Sequence, residues 1–387
     1  MKYSIIWMLT TVDIIVYSCK GFRLSLCKII YMRFWTYILV LGFSILLYAC
    51  ETKVDLVAEG EESPIVYGFL SPSADTQFVK ITKSFVTEGN AFEGALDPSL
   101  SEYEDLDAWI VAWDGNDSVA SYLLQEKTVT NKDSGIFYYP VQTVYYTDEI
   151  IFDDENDPQY DYDFEIMFNG SGRDVSSRTK VVGKFEPNNT QAFDVVNFVS
   201  IFNVSGSSYQ DKLMIIDQSI NTKRYEFTLR FHYIEKYTDG TEANKYMDFS
   251  YTPWITDGLS GTESYSFNIK GENFFQGVQS RLIAQDNEAN VLRRVIRDID
   301  YIFDFAGFDL NTFIELSKPA TSFNSEQNPY SNIDNGVGVW SSRGQEIFYD
   351  KELNVKSIQE LAEGQYTGPY KFCSDDPGHN DLSFGCN

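Results

Sequence analysis

The run Tyr225-Glu226-Phe227-Thr228-Leu229-Arg230-Phe231-His232-Tyr233 alternates large apolar and polar residues without a break. Successive side chains of an extended strand point to opposite sides. A period of two therefore puts Tyr225, Phe227, Leu229, Phe231 and Tyr233 on one face and Glu226, Thr228, Arg230 and His232 on the other. The segment predicts a strand with one side in a core, and the rest of that core must come from other strands. Ile65 to Leu70 and Phe78 to Ser84 read as a hairpin across the turn residues Pro72, Ser73 and Asp75. Ala108 to Trp113, Gly135 to Tyr146, Tyr162 to Phe168 and Thr179 to Phe185 follow, set apart by turn formers or by acidic stretches. The 26 Tyr and 29 Phe suit this reading, because flat rings pack well on a pleated surface.

These patterns predict an all-β protein of two β-sandwich-like domains, the first over residues 64–187 and the second over 188–372, with a few short helices in the second. The second domain opens with strands at Phe193 to Phe202 and Lys212 to Asp217, and Tyr265 to Lys270 is a further strand. A longer one alternates Val295, Arg297, Ile299, Tyr301, Phe303 and Phe305 with Ile296, Asp298, Asp300, Ile302 and Asp304, which lines acid along one face. Phe274 to Gln285 reads as a helix with Phe275, Val278 and Leu282 on one side. Ser357-Ile358-Gln359-Glu360 has the spacing of a capping box, opening a short helix that runs through Ala362 and ends at Gly364.

The N-terminus carries an address. Behind Met32-Arg33 lies an apolar run, Phe34 to Leu47, of signal-peptide length. The residues that close it, Leu47-Tyr48-Ala49-Cys50, resemble the lipobox after which bacterial lipoprotein signal peptidase cuts. The resemblance implies that residues 32–49 are a lipoprotein signal peptide and that Cys50 is the first mature residue, carrying lipid such as palmitate. Residues 1–31 read as an over-extended start, because their apolar stretch is interrupted by Asp13 and followed by Lys20, Arg23 and Lys28. Neither apolar run reaches the roughly 20 uninterrupted residues of a spanning helix. Residues 50–63 form the anchor and a polar, acidic tether. Glu51 after the cysteine favours the outer membrane, by analogy with lipoprotein sorting.

Residues 1–49 hold five basic side chains, Lys2, Lys20, Arg23, Lys28 and Arg33, against one acid, Asp13. Beyond them remain 25 Lys and Arg and 56 Asp and Glu, a net charge of −31. A surface this negative repels nucleic acid and anionic headgroups, so no nucleic-acid partner is expected. Cys373 and Cys386 are an even pair in the tail, 373–387, of a chain bound for a compartment where disulfides persist, and a bridge between them is expected. The competing reading, a metal site using that pair with His379, lacks the ligand count and spacing.

No metal or cofactor is expected elsewhere, and no catalytic residue stands out. The acidic run Asp148, Glu149, Asp153, Asp154, Glu155, Asp157, Asp161 and Asp163 lacks the fixed glycine and distal Glu of a calcium loop, and reads as a solvated hairpin tip. No G-x-S-x-G, H-E-x-x-H or P-loop occurs. His232, on the polar side of its strand, has no partner histidine or cysteine near it in sequence. An enzyme is therefore not expected.

Gly336-Val337-Gly338-Val339-Trp340 reads as a tight backbone path into a buried strand, with Val337, Val339 and Trp340 packing. Tyr330-Ser331-Asn332-Ile333, this glycine-aromatic run and Ser341-Ser342-Arg343 together resemble the C-terminal hallmark of a Bacteroidota outer-membrane lipoprotein family of unknown function. The strand pair around Tyr67 and Lys80, the Tyr162 to Ile166 strand and the Phe274 helix are similar in order, so the likeness spans about residues 50–370. It implies a lipid-anchored outer-membrane protein of β-sandwich modules found beside TonB-dependent transporters, with no catalytic residues to carry over. The expected role is ligand capture or assembly within a nutrient uptake system. Tyr103, Tyr160, Trp254 and Tyr330 are candidate stacking residues for sugars or peptides, although core or loop packing is the ordinary use of such rings. Alternatives are a structural or adhesive surface protein and, more weakly, a surface hydrolase.

Overall fold

The alternating run becomes a strand of 14 residues, Arg224–Tyr237, in which Tyr225, Phe227, Leu229, Phe231 and Tyr233 are buried and Glu226, Thr228, Arg230 and His232 are half-buried. The computed structural model describes residues 62–85, 87, 90–150, 152, 158–188, 190–193, 198–203, 208–284, 288–318 and 330–386. Cys50, the signal peptide and nearly all of the tether lie outside the described residues.

The protein is all-β with a few short helices, its strands arranged in several sheets. In the first half run β1 (Pro64–Leu70), β2 (Gln77–Lys83), β3 (Ala108–Asp114), β4 (Asp117–Leu123), β5 (Gln125–Val129), β6 (Gln142–Thr147), β7 (Asp163–Gly170) and β8 (Arg173–Lys180). The second half contributes β9 (Asp211–Asp217), β10 (Arg224–Tyr237), β11 (Glu242–Ser250), β12 (Ser264–Lys270), β13 (Val291–Ala306) and β14 (Val337–Lys351), with helices α1 (Gly271–Ile283), α2 (Phe308–Leu316) and α3 (Val355–Glu363). No described helix is long and apolar enough to cross a membrane.

The largest sheet has the order β11-β10-β13-β14-β1-β2-β6-β5. Its N-terminal half faces the separate sheet β4-β3-β7-β8, and the two inner faces close a sandwich core with Val66, Ile81, Tyr145, Ile110, Phe164, Ile166 and Val175. The C-terminal half packs Phe227, Phe231, Tyr301 and Phe303 against Met214, Ile216 and Ile269 of β9 and β12, and against Phe275 and Val278 of α1.

The boundary expected at residue 187 does not divide the chain, because Glu59–Asn387 is one compact unit. Strand β14 pairs in parallel with β1, matching Gly68 to Trp340, so the C-terminal segment re-enters the first core. Trp340 is fully buried there and donates its indole N–H to the Phe164 carbonyl at 2.8 Å, while Phe348, further along the same strand, packs in the second core. Gly338 permits the crossing: at its φ of +120°, a Cβ would lie 1.9 Å from the Val66 carbonyl oxygen. Val339 and Trp340 are buried as expected, but Val337 is 42% exposed.

Local differences have local causes. Helix α3 begins at Val355 rather than at the Ser357 box, because Asn354 is the N-cap and accepts the Ser357 amide at 3.0 Å. Ser357 Oγ is then free to accept the Ile201 and Phe202 amides, each at 3.1 Å. Residues 194–197 of the strand expected from Phe193 to Phe202 lie outside the described residues; of its two ends, Phe193 closes a helical turn, Thr190–Phe193, and Phe202 opens a two-residue strand, Phe202–Asn203. Cys373 and Cys386 form a disulfide. His379, beside it, bonds Ser374 Oγ through Nδ1 at 2.8 Å.

Candidate functional site

Between β10 and the β9-β12 sheet the inner rings do not close completely. A cleft of about 200 Å³ opens there, walled by Tyr225, Phe227, Tyr251, Trp254, Tyr265 and Phe267. The alternation of β10 aims Tyr225 and Phe227 inward. A two-residue strand, Trp254–Ile255, then pairs with Arg224 and Tyr225 and lays the indole against the Tyr225 ring. From the opposite side, β12 pairs with β9 and supplies Tyr265 and Phe267.

The rings form an ordered wall. Trp254 stacks with Tyr225, at 5.0 Å and 18°, and with Tyr265, at 5.2 Å and 13°. Phe227, Tyr251 and Phe267 meet at tilted angles with centroids 5.0 to 5.9 Å apart. Tyr251 and Thr252 also line a second hollow of about 340 Å³, whose other walls include Phe249, Phe274, Ser250, Asn268, Lys270 and Asn273. An aromatic end thus adjoins a polar end with amide, hydroxyl and ammonium groups, the usual composition of a small-molecule site.

The hydroxyls beside the cleft are held neutral. Burial, and then the charge of Asp211, push the Tyr251 hydroxyl up to about 12. Tyr301 packs against Phe227 at 5.7 Å, and its fully buried hydroxyl has no hydrogen-bond partner among the described residues. Burial pushes that group up further still, so it stays a donor at any physiological pH.

Of the stacking residues picked from sequence, Trp254 alone lies in the cleft. Tyr160 is 4% exposed in the first core, against Phe152. Tyr103 packs on Phe168 and meets Ser171 Oγ at 3.2 Å, and Tyr330 donates to Asp309 Oδ1 at 2.6 Å. Tyr225, Phe227, Tyr265 and Phe267 read as strand residues in the sequence, and nothing in their alternation signals that the facing sheet leaves space. Of the acidic run, Asp153, Asp154, Glu155 and Asp157 lie outside the described residues, while Asp148, Glu149 and Asp161 are exposed and Asp163 pairs with Lys180 at 3.6 Å.

On the opposite side of the same sheet, His232 meets Asp300 and Asp298, with one donor atom from each within 4.8 Å of the others. The sequence placed His232 on the polar side of β10, and that is where it lies; the two aspartates two strand positions apart on β13 are what sequence reading did not bring to it.

No protein-family model matches the chain, and no curated protein matches it. Among solved structures, the C-terminal globular domain of an oligosaccharyltransferase from Pyrococcus abyssi is similar over 65% of this chain and 50% of that chain, at 10% identity and a TM-score of 0.25. The chain spans about half the length of that protein, and a likeness this slight carries no argument. What the sheets and the cleft define is a class: an all-β protein of sandwich-like sheets with a lateral aromatic cleft.

Proposed function

We propose that this chain is a non-enzymatic, lipid-anchored protein of the bacterial outer membrane, and that it captures a small sugar or short peptide for a TonB-dependent uptake system. The single observation that supports capture is the cleft, in which a stacked Tyr225-Trp254-Tyr265 wall adjoins a polar chamber. Ring edges and faces suit the C–H faces of a sugar or an apolar side chain, and Ser250, Asn268 and Asn273 offer hydrogen bonds to hydroxyls or peptide groups. The lipobox-like Leu47-Tyr48-Ala49-Cys50 supports the anchor, and the acidic tether would let the folded part reach a membrane partner.

Calorimetric titration with a panel of oligosaccharides and peptides tests capture. Saturable binding is expected to at least one compound, and Thr252→Trp, which puts a bulky ring on the wall that both hollows share, is expected to abolish it. Binding that survives this substitution would place the ligand elsewhere; failure of the whole panel would favour the adhesive reading. For the address, fatty-acid labelling is expected to disappear in Cys50→Ser, and mild extraction is expected to recover a transporter component with the anchored chain.

A further inference from the structure

We propose that His232, Asp298 and Asp300 form a binding site for one divalent cation of the Zn²⁺ type, on the face of the sheet that turns away from the aromatic cleft. The donor atoms, one nitrogen and two carboxylate oxygens, lie within 4.8 Å of one another. His232 Nε2 is 2.8 Å from Asp300 Oδ2, a hydrogen-bond contact that opens by about 0.5 Å to the roughly 3.3 Å between neighbouring ligands of a tetrahedral ion.

Two β-bulges meet at this point. Between the pairs Phe231↔Ile299 and Tyr233↔Ile296, the single residue His232 faces two residues of β13, Arg297 and Asp298. Between Ile299↔Lys351 and Tyr301↔Phe348, the single residue Asp300 faces Tyr349 and Asp350 of β14. A bulge re-aims side chains that a regular ladder would hold apart, and here the pair of bulges turns ligand types from adjacent strands toward one point. Asp350 adopts φ +56° and donates its amide to Asp300 Oδ1 at 3.2 Å, which orients that carboxylate and leaves Oδ2 toward His232.

Two guanidinium groups stand near the cluster, Arg230 by Asp300 and Arg297 by Asp298, but their hydrogen bonds go to other carboxylates. Arg230 pairs with Asp300 in the ladder, yet its guanidinium is bonded in two-pronged fashion to Asp248 at 2.7 and 2.8 Å. Arg297 is committed to Asp375 in the same way at 2.6 and 3.0 Å. Within the donor set itself, His232 meets the carboxylates of Asp298 and Asp300, with the Asp350 charge close by. An imidazole with two carboxylates suits a borderline cation such as Zn²⁺, with its remaining position open to water on the half-exposed side. Ca²⁺ and Mg²⁺, which favour all-oxygen shells, fit less well.

The chain has two histidines, and that makes the test direct. With ¹⁵N-histidine label and chelator-treated full chain, ring resonances are followed as Zn²⁺ is added, and His379→Gln assigns the two rings. The expected result is a saturable one-to-one change in the His232 ring with His379, bonded to Ser374, unmoved. In calorimetry Asp298→Asn is expected to weaken Zn²⁺ binding by on the order of tenfold or more. Because the ring signals are read on the unsubstituted chain, a folding defect in a variant does not remove the test. An unresponsive His232 ring would overturn the proposal, as would affinity unchanged in both His232→Ala and Asp298→Asn. Equal response to Ca²⁺ would overturn the assigned class of ion.

Discussion

Arg294 donates through Nε to Glu235 Oε1 at 2.9 Å, with the two side chains 1% and 0% exposed. The pair joins β10 to β13 and is bonded further: Tyr237 donates to Glu235 Oε2 and Arg294 Nη1 donates to the Tyr370 carbonyl, both at 2.8 Å. Removing one partner leaves a buried charge alone. Glu235→Ala is expected to cost about 3–5 kcal/mol in urea denaturation, and the double substitution Glu235→Leu with Arg294→Met is expected to recover most of it.

Gly68 makes room for the tryptophan on which the first core closes. A Cβ at that position would sit 2.5 Å from the Trp340 ring, which is walled in by buried neighbours. Gly68→Ala is therefore expected to destabilise by about 1–3 kcal/mol, whereas Gly135→Ala, with nothing within 4 Å, is expected to stay within about 0.5 kcal/mol of the parent. Thermal melts of the two variants side by side check the contrast.

Glu102 gives acid sensitivity with a defined sign. Burial pushes its carboxyl up, but the hydroxyl and amide of Thr143 at 2.7 and 3.1 Å, together with Lys80 at 3.2 Å, outweigh burial and hold it below its ordinary 4.5. A carboxyl lowered on folding contributes stability that is complete above its unfolded value and is lost as pH falls through the folded one. The stability difference between the parent and Glu102→Gln is thus expected to be full near neutrality and to shrink below about pH 4.5, as read from denaturant midpoints across pH. A difference that grows toward acid would contradict this.

The Cys373–Cys386 bridge spans a sequence separation of 13, and the tail it closes is tied down by the Arg293 side chain donating to the Cys386 carbonyl. Loop-closure entropy for a ring of this size is worth about 3 kcal/mol. Cys373→Ser with Cys386→Ser is expected to lower stability by roughly that amount, and a reductant is expected to do the same to the parent while leaving the double variant unchanged.

Much of the fold was legible where a pattern is local. The inward set of β10 follows from period two alone, and the buried Phe275, Val278 and Leu282 of α1 follow from helical spacing. The cleft was legible only through Trp254. A ring on the inner side of a strand looks the same in sequence whether the facing sheet touches it or stops short. The His232 cluster was hidden for a related reason: strict alternation on β13 gives Asp298 and Asp300 a face but not a register, and two bulges set that register.

The sequence by itself determined the all-β class, the faces of its strongest strands and the acidity of its surface, because each depends on residue type and short-range period. It also carried the whole case for an anchor at Cys50, which rests on residues outside the described structure. Only tertiary structure decided that β14 would return alongside β1 and join two expected domains into one unit, since strand pairing across more than 260 residues leaves no trace in local pattern. It decided equally which aromatics close a core and which wall a cleft, because that depends on the distance between sheets, a quantity no single strand encodes.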